Sequence, residues 1–193
     1  MSKFTFKIDE KIVIKVVLLG DGAVGKTTLK NRYISKGFQE RYMPTLGADI
    51  TIKTLNVQKE SFECHFWDLA GQPKFNAIRQ NYYRGSRGAI LVYDITQPDS
   101  LPNLNMWIQE LHNNIIMKKI PLIIVGNKID LRNTIKSTIP TEKGLEFLKH
   151  LKSQIGSDRE AYFFETSAKT GENVSKVFEI LGEALLRVIK RSE

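Results

Sequence analysis

At 193 residues and 22.1 kDa, the chain is long enough to bury a core without disulfides or metals, and it fits a single domain over 1–193 with its core at about 10–190. Hydrophobic residues make up 41% and charged residues 26%, which excludes a disordered or fibrous chain. A net charge of +8 calls for anionic company (nucleotide, nucleic acid, an acidic partner or a membrane face) or marks only a solvated surface.

Ile12 to Leu19 reads as a strand running into a glycine loop, and Leu29 and Tyr33, four apart, mark the helix after it. Ile50–Leu55 and Phe62–Trp67 predict two strands joined as a hairpin. Phe62, Cys64 and Phe66 share one face, so Cys64 reads as a small core filler. As the one cysteine it excludes an intrachain disulfide and fits a reducing, cytoplasmic setting. Ala89–Asp94 is a continuous apolar strand, the pattern of a strand covered on both faces. Ser100 is expected to cap a helix with apolar positions Leu101, Leu104, Trp107, Ile108, Leu111 and Ile115 and with Pro102 in its first turn. Leu122–Val125 and Tyr162–Thr166 are further strands, and Val174, Val177, Phe178, Leu181, Leu185 and Val188 give a closing amphipathic helix. This alternation predicts an α/β sheet covered by helices, with ligands at the carboxyl ends of its strands. No apolar run approaches the ~20 residues that cross a bilayer. Ser2 stands where myristoylation needs glycine, and the last residues offer no cysteine to prenylate, so no lipid anchor is expected.

Gly20 to Thr27 matches the pattern G-x-x-x-x-G-K-[ST] between a strand and a helix. Glycines let the backbone curl until its N–H groups face phosphate oxygens, and the helix that follows aims its positive end at the same place. Asp21, Gly22, Ala23, Val24, Gly25, Lys26, Thr27 and Thr28 are the candidate phosphate contacts. Lys26 supplies a compact cation for the outer phosphates, and the Thr27 hydroxyl suits Mg²⁺, a hard ion that prefers oxygen. The loop alone does not separate ATP from GTP, or a kinase from a hydrolase.

Asn127-Lys128-Ile129-Asp130 follows a strand. Guanine presents N1–H and an exocyclic amine side by side, and the Asp130 carboxylate can accept both; adenine offers no such pair. Ser167, Ala168 and Lys169 end the last strand, where a backbone N–H could meet the base carbonyl. Thr45 lies in a loop and could complete a metal shell. Asp68 ends a strand and suits Mg²⁺ through water. Gly71 offers a backbone N–H to a γ-phosphate, and Gln72 can orient an attacking water.

With these motifs the chain resembles a small GTPase of the Ras superfamily, and in Trp67-Asp68, Tyr82-Tyr83-Arg84-Gly85 and Leu91-Val92-Tyr93-Asp94-Ile95-Thr96 its Rab branch. The resemblance implies a three-layer P-loop fold whose six-stranded sheet is mostly parallel with one antiparallel strand. It implies a switch that binds GTP and GDP with Mg²⁺ and slowly hydrolyses GTP, in membrane traffic or related regulation. Thr45 would belong to the first switch and Asp68 to Gln72 to the second. Phe38 would flank the guanine, the Lys128 stem would cover it, and Asn127 would brace the loops. Gly22 matches a position where a side chain would crowd the glutamine. An activating protein, an exchange factor and effectors are implied through residues 38–50 and 68–83, with Trp67 and Tyr82 read either as effector-facing aromatics or as sheet packing; a monomer is expected.

Three departures stand out. Pro73 follows Gln72 where relatives usually carry an acid, which leaves open a GTP-binding module with negligible hydrolysis. The C-terminal cysteines of Rab proteins are absent. The stretch from Asp130 to Ser167 is long and basic: residues 118–159 hold nine Lys or Arg against four Asp or Glu. That stretch suits an acidic partner or an anionic membrane face, and with it a peripheral membrane location. No zinc spacing or base-reading basic helix points to nucleic acid, and His65, His112 and His150 show no metal spacing. Arg79, Arg84 and Arg87 read as surface or structural residues.

Overall fold

The computed structural model of the chain describes residues 12–34, 45–72, 76–115, 119–156 and 159–190. Phe38, Pro73, Ser157 and Asp158 lie outside the described residues. In chain order the elements are β1 (Val13–Leu19), α1 (Lys26–Tyr33), β2 (Ala48–Val57), β3 (Glu60–Leu69), α2 (Asn76–Tyr83), β4 (Ser86–Asp94), α3 (Leu104–Asn114), β5 (Leu122–Asn127), α4 (Thr141–Ile155), β6 (Ala161–Thr166) and α5 (Val174–Lys190).

Among the described residues the strands form one six-stranded sheet, ordered β2-β3-β1-β4-β5-β6. The β2–β3 pair is antiparallel and every other pair is parallel. The hairpin turns at Gln58, in the left-handed region at φ 56. Sequence pattern and sheet position agree. Val16 to Leu19 in β1 and Gly88 to Asp94 in β4 are buried on both faces and read as unbroken apolar runs. The edge strand β2 alternates and buries only Leu55.

Each face of the sheet carries its own core. Ile14, Val16, Leu18 and Phe66 pack against Leu29 of α1 and Val177, Phe178 and Leu181 of α5. Tyr33 stacks on Phe178 at 3.9 Å between ring centroids, and Phe66 meets Phe178 edge-on at 5.3 Å. On the other face Val17, Leu19, Leu91 and Ile124 pack against Trp107 and Leu111 of α3 and Leu151 of α4.

Two local readings change. The helix α2 carries too few apolar positions to be seen by periodicity. Ser100 does not cap α3, which begins at Leu104. A 3₁₀ turn at Pro98–Ser100 carries the serine back to the end of β4, where its hydroxyl donates to the Asp94 carbonyl (2.9 Å) and accepts from the Asp94 N–H (3.1 Å). Hydroxyls of this type often prefer nearby backbone to a helix start.

The register aligns Asp94, Asn127 and Thr166 across β4, β5 and β6 at the carboxyl edge of the sheet. Leu18 and Asp68 align at the ends of β1 and β3. The candidate residues therefore meet along one edge.

Candidate functional site

The phosphate-loop sequence wraps over the ends of β4 and β5. Gly20 and Gly25 adopt φ +136 and +100; a Cβ on Gly20 would fall 2.1 Å from the Val92 carbonyl oxygen, and one on Gly25 2.2 Å from Asn127 Nδ2. Only glycine fits at either point. Ala23 also takes a left-handed φ of 63. α1 opens directly after Gly25 with no side chain capping its first N–H groups, which leaves those donors for an anion. Val24 is buried, and Gly22, Thr27 and Thr28 are half-buried around the mouth of the loop.

Lys26 Nζ donates to the carbonyls of Gly20 and Asp21, both at 2.7 Å. Two of its three donors hold the loop, and the third remains for a phosphate oxygen. Burial pushes this ammonium down to about 8; Asp68 and Asp21 pull against that and Arg79 adds to it.

Three oxygen donors from three segments converge beside Lys26. The Thr27 hydroxyl donates to Asp68 Oδ2, and Thr27 Oγ1 lies 3.1 Å from Thr45 Oγ1. Asp68 is fully buried, and its Oδ1 has no hydrogen-bond partner. Burial raises the Asp68 carboxyl, with Thr27, Lys26 and Lys30 pulling it down. Such an orphaned carboxylate oxygen with two hydroxyls is an all-oxygen donor set, which fits Mg²⁺. Among the described residues no three His, Cys, Asp or Glu side chains cluster as a metal site; the donors here are one carboxylate and two hydroxyls.

At the other end Asn127 joins three segments. Its Nδ2 donates to the Val24 carbonyl at 2.9 Å, while Oδ1 accepts from Thr166 Oγ1 and the Ala168 N–H, both at 3.1 Å. Lys128 adopts a left-handed φ of 72, and its ammonium pairs with Asp94 Oδ2 at 2.6 Å. The Ser167 hydroxyl donates to Asp130 Oδ1 at 2.6 Å and fixes that carboxylate. Lys169 is exposed at the rim.

The segment at Gly71 and Gln72 lies against the phosphate-loop sequence. A Cβ on Gly71 would fall within 2.4 to 2.6 Å of Asp21 and Gly20 backbone atoms. A Cβ on Gly22 would sit 3.7 Å from Gln72 Cγ, in ordinary contact, so the glutamine and Gly22 are neighbours. Trp67 and Tyr82 lie together, with ring centroids 5.6 Å apart, and Lys15 Nζ sits 3.8 Å from the Trp67 ring centroid.

Several residues escaped sequence reading. Trp107 Nε1 and Asn103 Nδ2 donate to the two carboxylate oxygens of Asp21, each at 2.8 Å. The buried Arg79 guanidinium donates to the Ala70 and Gln72 carbonyls and grips both oxygens of Glu110, with its Cζ 4.3 Å from the Trp107 ring centroid. Lys30 is fully buried and pairs with Asp49. The partners lie on distant elements, so periodicity carries no trace of them. A lysine on the buried face of a short helix is the one signal that could have marked Lys30.

Residues 15–187 match the sequence profile of the Ras family. The chain is 34% identical to the Ras-related protein RabC of Dictyostelium discoideum over 188 residues, 96% of this chain and 90% of that protein. It is 34% identical to the Ras-related protein Rab7 of Drosophila melanogaster over 95% of this chain and 86% of the relative. With the Ras-related protein Rab11D of Lotus japonicus it shares 37% identity, over 93% and 78%.

Proposed function

The chain belongs to the Ras family as a Rab-like small GTPase, and on that premise we propose how its own residues bind guanine nucleotide, respond to it and cleave it. GTPases of this family bind GTP and GDP with Mg²⁺. Family membership disfavours the kinase and ATPase readings, and it favours a hydrolase over a binding module without turnover.

One observation carries the reading: Thr27 of α1, Thr45 of the first switch and Asp68 at the end of β3 bring their oxygens together next to Lys26. These residues would hold Mg²⁺, which when bound would supply positive charge against the phosphates of the substrate. The loop N–H groups of residues 21–28 and the third donor of Lys26 bind the phosphates. Asp130, fixed by Ser167, accepts the two guanine donors, and the Ala168 region faces the base carbonyl. Lys128, held by Asp94, lays its stem along the base, and Phe38 is proposed on the other side. Asn127 keeps the base segments and the phosphate loop at a fixed spacing.

For hydrolysis the chain must orient water and meet charge at the γ-phosphate. Gln72 does the first and the Gly71 N–H and Lys26 the second. Thr45 and Gly71 contact the γ-phosphate side only while it is present, so cleavage releases both switches. Arg79 is committed to Glu110 and to backbone carbonyls, and Arg84 and Arg87 are exposed, so none serves as an internal arginine finger. Intrinsic turnover is therefore slow, about 10⁻⁴ s⁻¹, and rises with an activating protein. Regulators and effectors engage residues 38–50 and 68–83. A role in membrane traffic is supported by the Rab-type relatives, and peripheral membrane contact would use the basic stretch around α4. None of the described helices is long and apolar enough to cross a membrane.

The test measures labelled GTP, GDP and ATP binding, then single-turnover hydrolysis. GTP and GDP are expected to bind at least about 10³-fold tighter than ATP, because ATP leaves Asp130 unpaired. Asp130→Ala should remove most of that preference. Equal ATP affinity, or intrinsic turnover near one per second, overturns the proposal.

A further inference from the structure

Lys30 lies one turn after Lys26 in α1, and its side chain is fully buried. Its ammonium pairs with Asp49 Oδ2 and lies 4.0 Å from Asp68 Oδ2, the oxygen that also takes the Thr27 hydroxyl. Asp49 and Asp68 face each other directly across the β2–β3 ladder. Opposed like charges in a ladder repel. Lys30 is the cation inserted between them.

The two carboxylates differ in surroundings. Asp68 is fully buried, whereas the Asp49 side chain is 55% exposed. Asp49 also stands near the start of β2, four residues after Thr45. The lysine thus has a half-exposed carboxylate on one side and a proposed metal-holding carboxylate on the other. Where a cation sits beside a carboxylate, it competes with a second cation for that charge.

We propose that Lys30 is a positioning residue that sets divalent-metal affinity: Asp49 draws its ammonium away from Asp68. Without the Asp49 carboxylate the ammonium is free to turn fully to Asp68. The carboxylate is then neutralised from within the protein, and metal binding weakens. This inference rests on the metal-site reading above.

The experiment uses the full chain loaded with a fluorescent GDP analogue and follows analogue release while free Mg²⁺ is varied. Lys30→Met removes the competing cation and should lower the Mg²⁺ concentration for half-maximal retention about tenfold. Asp49→Asn frees the ammonium for Asp68 and should raise it about tenfold. In the Lys30→Met background Asp49→Asn should have no further effect, which separates coupling from general damage. Melting temperature at saturating Mg²⁺ and GDP checks folding; if Lys30→Met does not fold, the half-exposed Asp49→Asn decides alone. Wild-type release that ignores Mg²⁺ would overturn the metal site itself. Wild-type release that depends on Mg²⁺, with midpoints of the variants unmoved or shifted in the opposite direction, would overturn the role of Lys30 and leave the site standing.

Discussion

Trp107 Nε1 donates a 2.8 Å hydrogen bond to Asp21 Oδ1, which ties the first turns of α3 to the phosphate loop. Asn103 takes the other oxygen of the same carboxylate. The loop is therefore held from two sides: Lys26 binds its carbonyls from within, and α3 fixes its one acidic side chain from without. Trp107→Phe keeps most of the packing and leaves Asp21 with a single side-chain donor. Hydrogen bonds to charged groups contribute about 1.5–3 kcal/mol, so a stability loss of about 2 kcal/mol is expected by urea unfolding of the nucleotide-loaded protein. GDP release should quicken by several-fold. A loss of stability with unchanged release would confine Trp107 to the core.

Gly71 offers a sharper test of how closely the second switch approaches the phosphate loop. Its Cβ would meet backbone atoms of Asp21 and Gly20 at 2.4 to 2.6 Å, and backbone cannot swing aside as a flexible side chain does. Gly71→Ala must therefore hold the switch away from the loop. GTP hydrolysis should fall about 100-fold, the size seen when one donor to developing charge is lost. GDP affinity should change much less, because the base site and the loop interior are untouched. Gly22→Ala meets Gln72 only at ordinary contact distance, so it should bind nucleotide normally and slow hydrolysis less than Gly71→Ala.

Cys64 connects the buried face of β3 to pH. It is fully buried among core side chains, and burial pushes its thiol up to about 12; Tyr33 is likewise raised to about 12 by burial. In the unfolded chain these groups ionise at lower pH, so above about pH 9 the unfolded state binds fewer protons than the native state. Unfolding free energy must then fall as pH rises from about 9 toward 12. Cys64→Val removes one of the contributors, and its urea midpoint should decline less steeply between pH 9 and 10.5 than that of wild type. At pH 8 the native thiol should react with a disulfide reagent only as fast as the strand opens.

How far the fold and site could be read in advance follows from where the information lies. The phosphate loop, the hairpin and the buried strands are local patterns: glycines at set spacing, alternation in β2, unbroken apolar runs in β4 and β5. Asn127, Asp130 and Ser167 were legible because a strand end precedes each short motif. Ser100 misled, because its hydroxyl found the Asp94 backbone one turn earlier than the helix it was expected to cap. Lys30 and Arg79 were illegible for a different reason. Each is a buried cation whose partners come from other elements, Asp49 and Asp68 for one and Glu110 with the Ala70 and Gln72 carbonyls for the other. A linear pattern shows only the charge, which ordinarily belongs at the surface.

Arg79 gives the last test, because it holds the segment on which Gln72 sits. Its Nη1 donates to the carbonyls of Ala70 at 3.1 Å and Gln72 at 3.0 Å, while Nε and Nη2 bind the two oxygens of Glu110 on α3. The guanidinium also lies over Trp107, so one side chain joins the second switch to the helix that anchors the phosphate loop. A lysine cannot serve this arrangement, since its single ammonium lacks the planar fork that reaches both carbonyls and a bidentate carboxylate. Arg79→Lys therefore keeps the charge and loses the fixed backbone of Gln72. Hydrolysis should drop about 10- to 100-fold in single-turnover measurements, with GTP affinity within a few-fold of wild type. Glu110→Gln keeps the shape of the partner and should give a smaller loss in the same direction. If Arg79→Lys hydrolysed GTP at the wild-type rate, the placement of Gln72 would not depend on this contact, and Arg79 would be a core residue alone.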